Sequence, residues 1–300
     1  MDRAVVGDIE LCYEVRGSRT DPTVLLVAGL GRQLIGWDDG FCDELVAEGF
    51  CVVRFDNRDA GASSRIEGGP PFDMAAARRG GAQAVAYTLD DMADDAAGLL
   101  DVLGMKSAHA VGSSMGGMIV QTLAIRHPGR VRSLCSIMST TGADDVGLPT
   151  REAMAVLLQR PPADRDAYVA SELANSRVIG SRGALVDVEW RRGRFERFYD
   201  RGIDPVATSR QIMAIVASGD RTAALGSVRV PTVVIHGEID TLVSLDGGEA
   251  TAQAVPGAEL VVLPDMGHEL PPGAWPRVVA AIVANAGRAG ASASAAGTAR

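Results

Sequence analysis

The chain has 300 residues, 47% of them hydrophobic and 22% charged, which is material for one large domain with a substantial core and too apolar for a disordered protein. Its formal net charge of −9 argues against nucleic acid and anionic lipid as partners, since both demand a net cationic face.

In chain order, Ile9 to Val15 alternates apolar and polar residues, the pattern of an exposed antiparallel edge strand. Thr23 to Ala28 is a continuous apolar run ending at Gly29, which suits a central strand buried on both faces, and Cys51 to Phe55, Ala108 to Val111 and Val131 to Met138 read the same way. Between the second and third of these runs Thr88 and Asp91 form a capping pair. Behind it Leu89, Met92, Ala93, Ala96, Leu99, Leu100 and Leu103 make one apolar helical stripe that Gly104 ends. Strand, helix, strand with two-sided apolar strands predicts an α/β fold, a mostly parallel sheet with helices on both faces.

The rhythm breaks at about residue 143. Arg151 to Gln159, Arg165 to Ala174, Val186 to Tyr199 and Val206 to Ala217 look helical with no buried strand between them, until Pro231 to Gly237 and Leu260 to Leu263 restore the sheet pattern. The expected organisation is an α/β core over 1–142 and 226–286, a helical lid over 143–225 and a disordered tail over 287–300, rich in Gly, Ala and Ser.

The sharpest chemical signal is Gly112-Ser113-Ser114-Met115-Gly116-Gly117, directly after a buried strand and before a helical run. A serine nucleophile on a sharp strand-to-helix turn needs glycines two residues before and after it, and only Ser114 has both. The helix that follows aims its N-terminal amides at the site, where they favour negative charge.

The serine needs a base, and there are four histidines. His109 lies in a strand, His127 at a helix end before Pro128, and His236 at a strand end, each with a structural job; His268 lies in a loop between the last strand and the last helix, at the sheet edge that faces the serine turn. For the acid, Glu238, Asp240 and Asp246 follow the penultimate strand. Asp240 is the choice, because the chain has room there to curl over the sheet edge, and Asp246 reads as a helix cap. The order Ser114, Asp240, His268 excludes the chymotrypsin and subtilisin orders. The amides of Met115 and Leu30 are the expected oxyanion donors. Gly29-Leu30-Gly31 is not a dinucleotide loop, since Leu34 stands where its third glycine belongs.

These stations resemble the α/β-hydrolase superfamily over residues 1 to about 286, and within it the serine esterase and lipase branch of aclacinomycin methylesterase. The residues that carry this are Gly29-Leu30-Gly31 with Trp37, Asp56-Asn57-Arg58-Asp59-Ala60-Gly61-Ala62-Ser63, Gly112 to Gly117 and Met266-Gly267-His268-Glu269-Leu270-Pro271. The resemblance implies Ser114 as nucleophile, Asp240 as acid, His268 as base, Leu30 and Met115 at the oxyanion, and no cofactor or metal. A serine rather than an aspartate nucleophile argues against epoxide hydrolases and haloalkane dehalogenases. Many members carry His-Gly before the oxyanion residue; here that histidine is Ala28, so the support of the loop must differ. Asp56, Arg58 and Ser63 read as loop staples.

Trp190, Phe195, Phe198 and Tyr199 interleave with Arg191, Arg192, Arg194, Arg197 and Arg201. One reading is an amphipathic helix with its rings down and its guanidinium groups in water. The other is a roof for a bulky apolar substrate, with Gly29, Trp190 and Phe195 as substrate contacts and an arginine available for a carboxylate or phenolate. The cysteines (Cys12, Cys42, Cys51, Cys135) lie in apolar contexts and read as buried thiols of a reduced compartment. Neither a signal-peptide stretch nor a span of roughly 18 apolar residues is found, so a cytoplasmic protein is expected. The functional expectation is a cofactor-independent serine hydrolase acting on a small-molecule carboxylic ester, with a thioesterase or perhydrolase on the same residues as the alternative and a non-catalytic ligand sensor as the remote one. Oligomeric state is not encoded in any pattern here.

Overall fold

The computed structural model describes residues 1–67 and 85–297. Its centre is an eight-stranded sheet of β1 (Asp2–Val6), β2 (Ile9–Arg16), β3 (Thr23–Val27), β4 (Cys51–Phe55), β5 (Ala108–Ser113), β6 (Val131–Ile137), β7 (Thr232–Gly237) and β8 (Glu259–Leu263), in the order β1-β2-β4-β3-β5-β6-β7-β8. The pairs β1–β2 and β2–β4 are antiparallel and the rest are parallel. β2 is antiparallel as expected but is not the edge: Asp2–Val6, too short to stand out in the sequence, pairs along its outer side.

The two-sided strands separate two cores because successive side chains point to opposite faces. Leu25, Val27, Val53, Phe55 and Ala110 pack against α2 (Leu89–Val102) and α3 (Met115–Arg126). Val24, Leu26, Val52, Val111 and Ile235 pack with α1 (Asp39–Ala47) and α10 (Trp275–Gly297), through Phe41 and Leu45 from the first and Val278 and Ile282 from the second. The predicted cap of α2 forms: the Asp91 carboxylate accepts from the Thr88 amide at 2.7 Å and from its hydroxyl at 2.8 Å. α10 runs on to Gly297, past residue 287 where a disordered tail is expected, because the alanines that cannot build a core are also the strongest helix formers. Residues 298–300 of that expected tail lie outside the described residues.

Among the described residues the segment between β6 and β7 contains α4 (Arg151–Leu157), α5 (Arg165–Ile179), α6 (Val188–Asp200), α7 (Pro205–Ser218) and α8 (Thr222–Leu225) and no strand. Four of these start on a side-chain cap, from Thr150, Asp164, Asp187 and Asp204, so their registers are set locally. α9 (Leu245–Ala254) follows β7; Ser244 occupies its N-cap position without a side-chain cap bond, and Asp246, read as a cap, lies instead in its first turn. No helix among the described residues is long and apolar enough to cross a membrane.

His109 is a core residue, 2% exposed, hydrogen-bonded through Nδ1 to Ser133 Oγ at 2.8 Å and edge-on to Phe50. Burial pushes its pKa down from 6.5 to about 4, so the neutral ring is the folded form. A depressed histidine pKa contributes stability that is full above the unfolded value and is lost as pH falls toward the folded one. The wild type should therefore lose about 2 kcal/mol more than a His109→Gln variant between pH 7 and pH 5, read from urea unfolding. Equal losses in the two proteins would contradict this assignment.

Candidate active site

β3 and β5 are neighbours although β4 comes between them in sequence, so the chain leaves β3 in opposite directions and opens a crevice at their C-terminal ends. Ser114 stands there, between the end of β5 and the first residue of α3, at φ 56° and ψ −122°. Such a backbone costs a non-glycine residue on the order of 1–3 kcal/mol and persists only where its surroundings enforce it. Here the Ser114 amide donates to Ile137 O at 2.9 Å, and its carbonyl accepts from Gly117 N at 2.9 Å and Ser139 Oγ at 2.8 Å. The flanking glycines are steric requirements: a Cβ on Gly112 would lie 2.1 Å from Gly116 O, and one on Gly116 would lie 2.0 Å from Val27 O.

His268 Nε2 is 2.9 Å from Ser114 Oγ, and its Nδ1 is 2.7 Å from Asp240 Oδ2. The other Asp240 oxygen accepts from the Leu242 and Val243 amides, both at 2.9 Å, which fixes the carboxylate plane and leaves Oδ2 for the imidazole. With the carboxylate accepting, Nδ1 carries the proton and Nε2 has a free lone pair toward the serine hydroxyl. The three side chains that the sequence proposes from distant segments are joined in one hydrogen-bonded row. Glu238, the rejected alternative acid, is exposed.

The contacts of His236 explain its structural job. Its Nε2 lies 2.8 Å from Val243 O, on the turn whose amides hold Asp240, and Gly248 makes room for the ring: a Cβ there would meet Nδ1 at 2.4 Å. Burial lowers its pKa, so the ring is neutral and Nε2 donates to the carbonyl.

The Gly29-Leu30-Gly31 turn faces the serine, since a Cβ on Gly29 would lie 3.2 Å from Ser114 Cβ. Among the described residues neither the Leu30 nor the Met115 amide has a protein acceptor, and both residues line the crevice. Support for the turn, which cannot come from a histidine at Ala28, comes from Asn57 Nδ2 donating to Ala28 O at 3.0 Å and from Gln211 Oε1 accepting the Gly31 amide at 2.8 Å. Asp56 accepts from Leu34 N at 2.6 Å, from Ala62 N at 2.8 Å and from both terminal nitrogens of Arg201. Arg58 clamps Asp95 at 2.6 and 2.7 Å, and Ser63 Oγ donates to Asp56 O at 2.6 Å, so all three predicted staples hold loops.

The crevice opens into a cavity of about 870 Å³ roofed by α4 to α7, and Phe195, Met138 and Met154 line it. Gly29 and Phe195 reach it, but Trp190, expected as a substrate contact, does not. Its indole N–H donates to Asp38 at 3.2 Å and its ring packs edge-on against Trp275, because its position on α6 faces the α1 and α10 side. Nor do all the guanidinium groups of α6 and of Arg201 at its C-cap point to water. Arg191 is buried against Glu269, Arg194 lies over the Trp190 and Phe198 rings, and Arg201 holds Asp56. The direct signal for the first of these is Glu269 itself, a carboxylate placed between His268 and the apolar Leu270-Pro271.

A family model described as the alpha/beta hydrolase fold matches residues 22–272. The chain is 29% identical to rhodomycin D methylesterase DnrP of Streptomyces peucetius over 94% of its own length and 97% of that protein's. It is 27% identical to the bifunctional esterase/perhydrolase DCH of Acinetobacter calcoaceticus, over 88% of this chain and 91% of the other. Among solved structures, a thermophilic esterase from Thermogutta terrifontis superposes with a TM-score of 0.70 at 25% identity, covering 94% of this chain and 97% of that one. Together with the strand order and the sharp serine turn, the match settles the lineage: this chain belongs to the alpha/beta-hydrolase fold family.

Proposed function

We propose that the protein is a serine esterase that hydrolyses a carboxylic ester through an acyl-enzyme. The observation that carries the reading is the row Asp240–His268–Ser114, with contacts of 2.7 and 2.9 Å, on a strained turn at the base of a large cavity. His268 Nε2 takes the Ser114 proton as Oγ attacks the ester carbonyl, and the oxyanion is received by the amides of Leu30 and Met115, which have no protein acceptor among the described residues. The imidazolium then gives its proton to the leaving alcohol. Water repeats the sequence on the acyl group and frees the acid. Asp240 fixes the tautomer and stabilises the charged ring without taking the proton. The helical segment 143–225 acts as the lid whose underside selects the substrate.

A methyl ester of a bulky aromatic compound fits the cavity volume and its mixed apolar lining, and the similarity to a rhodomycin D methylesterase supports it. A panel of aromatic methyl esters, graded p-nitrophenyl esters and matched thioesters, with and without hydrogen peroxide, tests the reading on wild type and Ser114→Ala. Oxygen-ester cleavage that depends on Ser114 is the expected result. Thioester turnover or peroxide-dependent acyl transfer in its place reassigns the acceptor, and ligand binding without turnover refutes the enzyme.

A further inference from the structure

The cavity is lined by one arginine on α6, Arg194, that makes no close ion pair among the described residues, although Glu269, Asp38 and Glu172 lie near enough to favour its charge. Beside Arg194, the guanidinium groups of Arg32, Arg191 and Arg197 each engage a carboxylate. Glu172 is engaged by Arg32 at 3.1 Å, Asp38 by Arg197 at 3.1 Å and Glu269 by Arg191. Arg194 makes no ion pair among the described residues; its Nε is fully buried with no hydrogen-bond partner, and its one polar contact is a long 3.4 Å bond to Gly36 O. Its guanidinium carbon lies 5.3 Å from the centre of the Trp190 ring and 5.2 Å from that of Phe198, which orients the plane but does not neutralise it. The other arginines along the cavity differ: Arg32 and Arg65 face Glu172 and Asp204, and Arg160 is exposed. Burial and the neighbouring Arg32 charge push the Arg194 pKa down to about 10, which leaves it charged at neutral pH and at a cost that a ligand anion would relieve.

We infer that Arg194, with Arg32 behind it, forms an anion subsite in the cavity, so that the preferred ester carries an anionic oxygen on its non-reacting part, a carboxylate or an ionised phenol. This deepens, and rests on, the esterase reading. The physical reason is that a half-buried guanidinium with no ion-pair partner gains a charge-assisted hydrogen bond on binding an anion, with part of its desolvation already met. A neutral ester of the same shape would leave that charge unpaired.

The test compares isophthalic acid monomethyl ester with dimethyl isophthalate, and a methyl benzoate bearing an ionised nitrophenol with its methyl ether. The wild type should favour the anionic member of at least one pair in kcat/KM, and which pair it favours distinguishes carboxylate from phenolate. Arg194→Gln should lower that anionic-to-neutral ratio by about tenfold or more, chiefly through KM, and Arg194→Lys should restore part of it. Calorimetric binding of the monomethyl ester to Ser114→Ala protein, with and without Arg194→Gln, supplies a readout independent of turnover. Weaker binding on loss of the guanidinium supports the subsite even if no ester is cleaved, in which case it is the esterase reading that has failed. A ratio and an affinity equal in the wild-type and Gln backgrounds would overturn the subsite while leaving the esterase reading intact.

Discussion

Ser114→Ala should reduce kcat for ester cleavage by about 10⁴-fold or more, with KM changed little. The substitution removes the attacking oxygen and nothing else that the turn needs: the bonds to Ile137, Gly117 and Ser139 all run through the Ser114 backbone, which alanine keeps. The thermal midpoint should therefore stay near that of the wild type. His268→Ala should cost a similar factor, and the double variant little more than either, because nucleophile and base act as one unit. Residual hydrolysis above background would come from the Leu30 and Met115 amides and from the cavity. Additive losses in the double variant would show that the two side chains do not act in the same step.

Loss of Arg191 or Glu269 alone should destabilise the fold by about 3–5 kcal/mol, since either change leaves an uncompensated charge in a buried place. Both side chains are at most a tenth exposed. Glu269 also accepts from the Ser181 amide at 2.8 Å, and Arg191 donates to Ser181 O at 3.1 Å. This knot ties α6 to the loop that carries His268, whose own amide donates to Ile179 O at 2.6 Å. Removing both charges in Arg191→Met/Glu269→Leu should recover most of the stability, because well-packed apolar groups replace buried ion pairs at little cost. Activity should stay depressed, since the loop loses its tether. Urea unfolding of the four proteins as a double-mutant cycle gives the coupling directly, and purely additive losses would contradict the pairing.

How much of this could be read from the sequence follows physical lines. Strands such as Thr23 to Val27 are legible because burial on both faces leaves Val24 to Val27 an unbroken apolar run. β1 is not, because five residues of which only Ala4 is buried carry too little pattern, so β2 reads as an edge. The distant residues of the site were legible because their chemistry restricts them: glycines two positions either side of one serine, a carboxylate past a strand end, a histidine in the last loop. Trp190 and the arginines of α6 were not, since composition says which residues a helix carries but not which way each face turns. In a helix touched on several sides, a guanidinium finds Glu269 or Asp56 inside as readily as water outside. The replacement for the missing histidine at position 28 was equally hidden. Asn57 and Gln211 reach the turn from 29 and 180 residues away along the chain, a proximity that only the fold creates.

The most direct measurement is covalent labelling of the folded wild-type protein with a fluorophosphonate, followed by peptide mapping by mass spectrometry. An activated Ser114 takes the phosphonyl group on its Oγ, the label is absent from Ser114→Ala, and it forms far more slowly in His268→Ala. A folded, ester-cleaving protein that stays unlabelled at Ser114, or carries the adduct on another residue, would contradict the account.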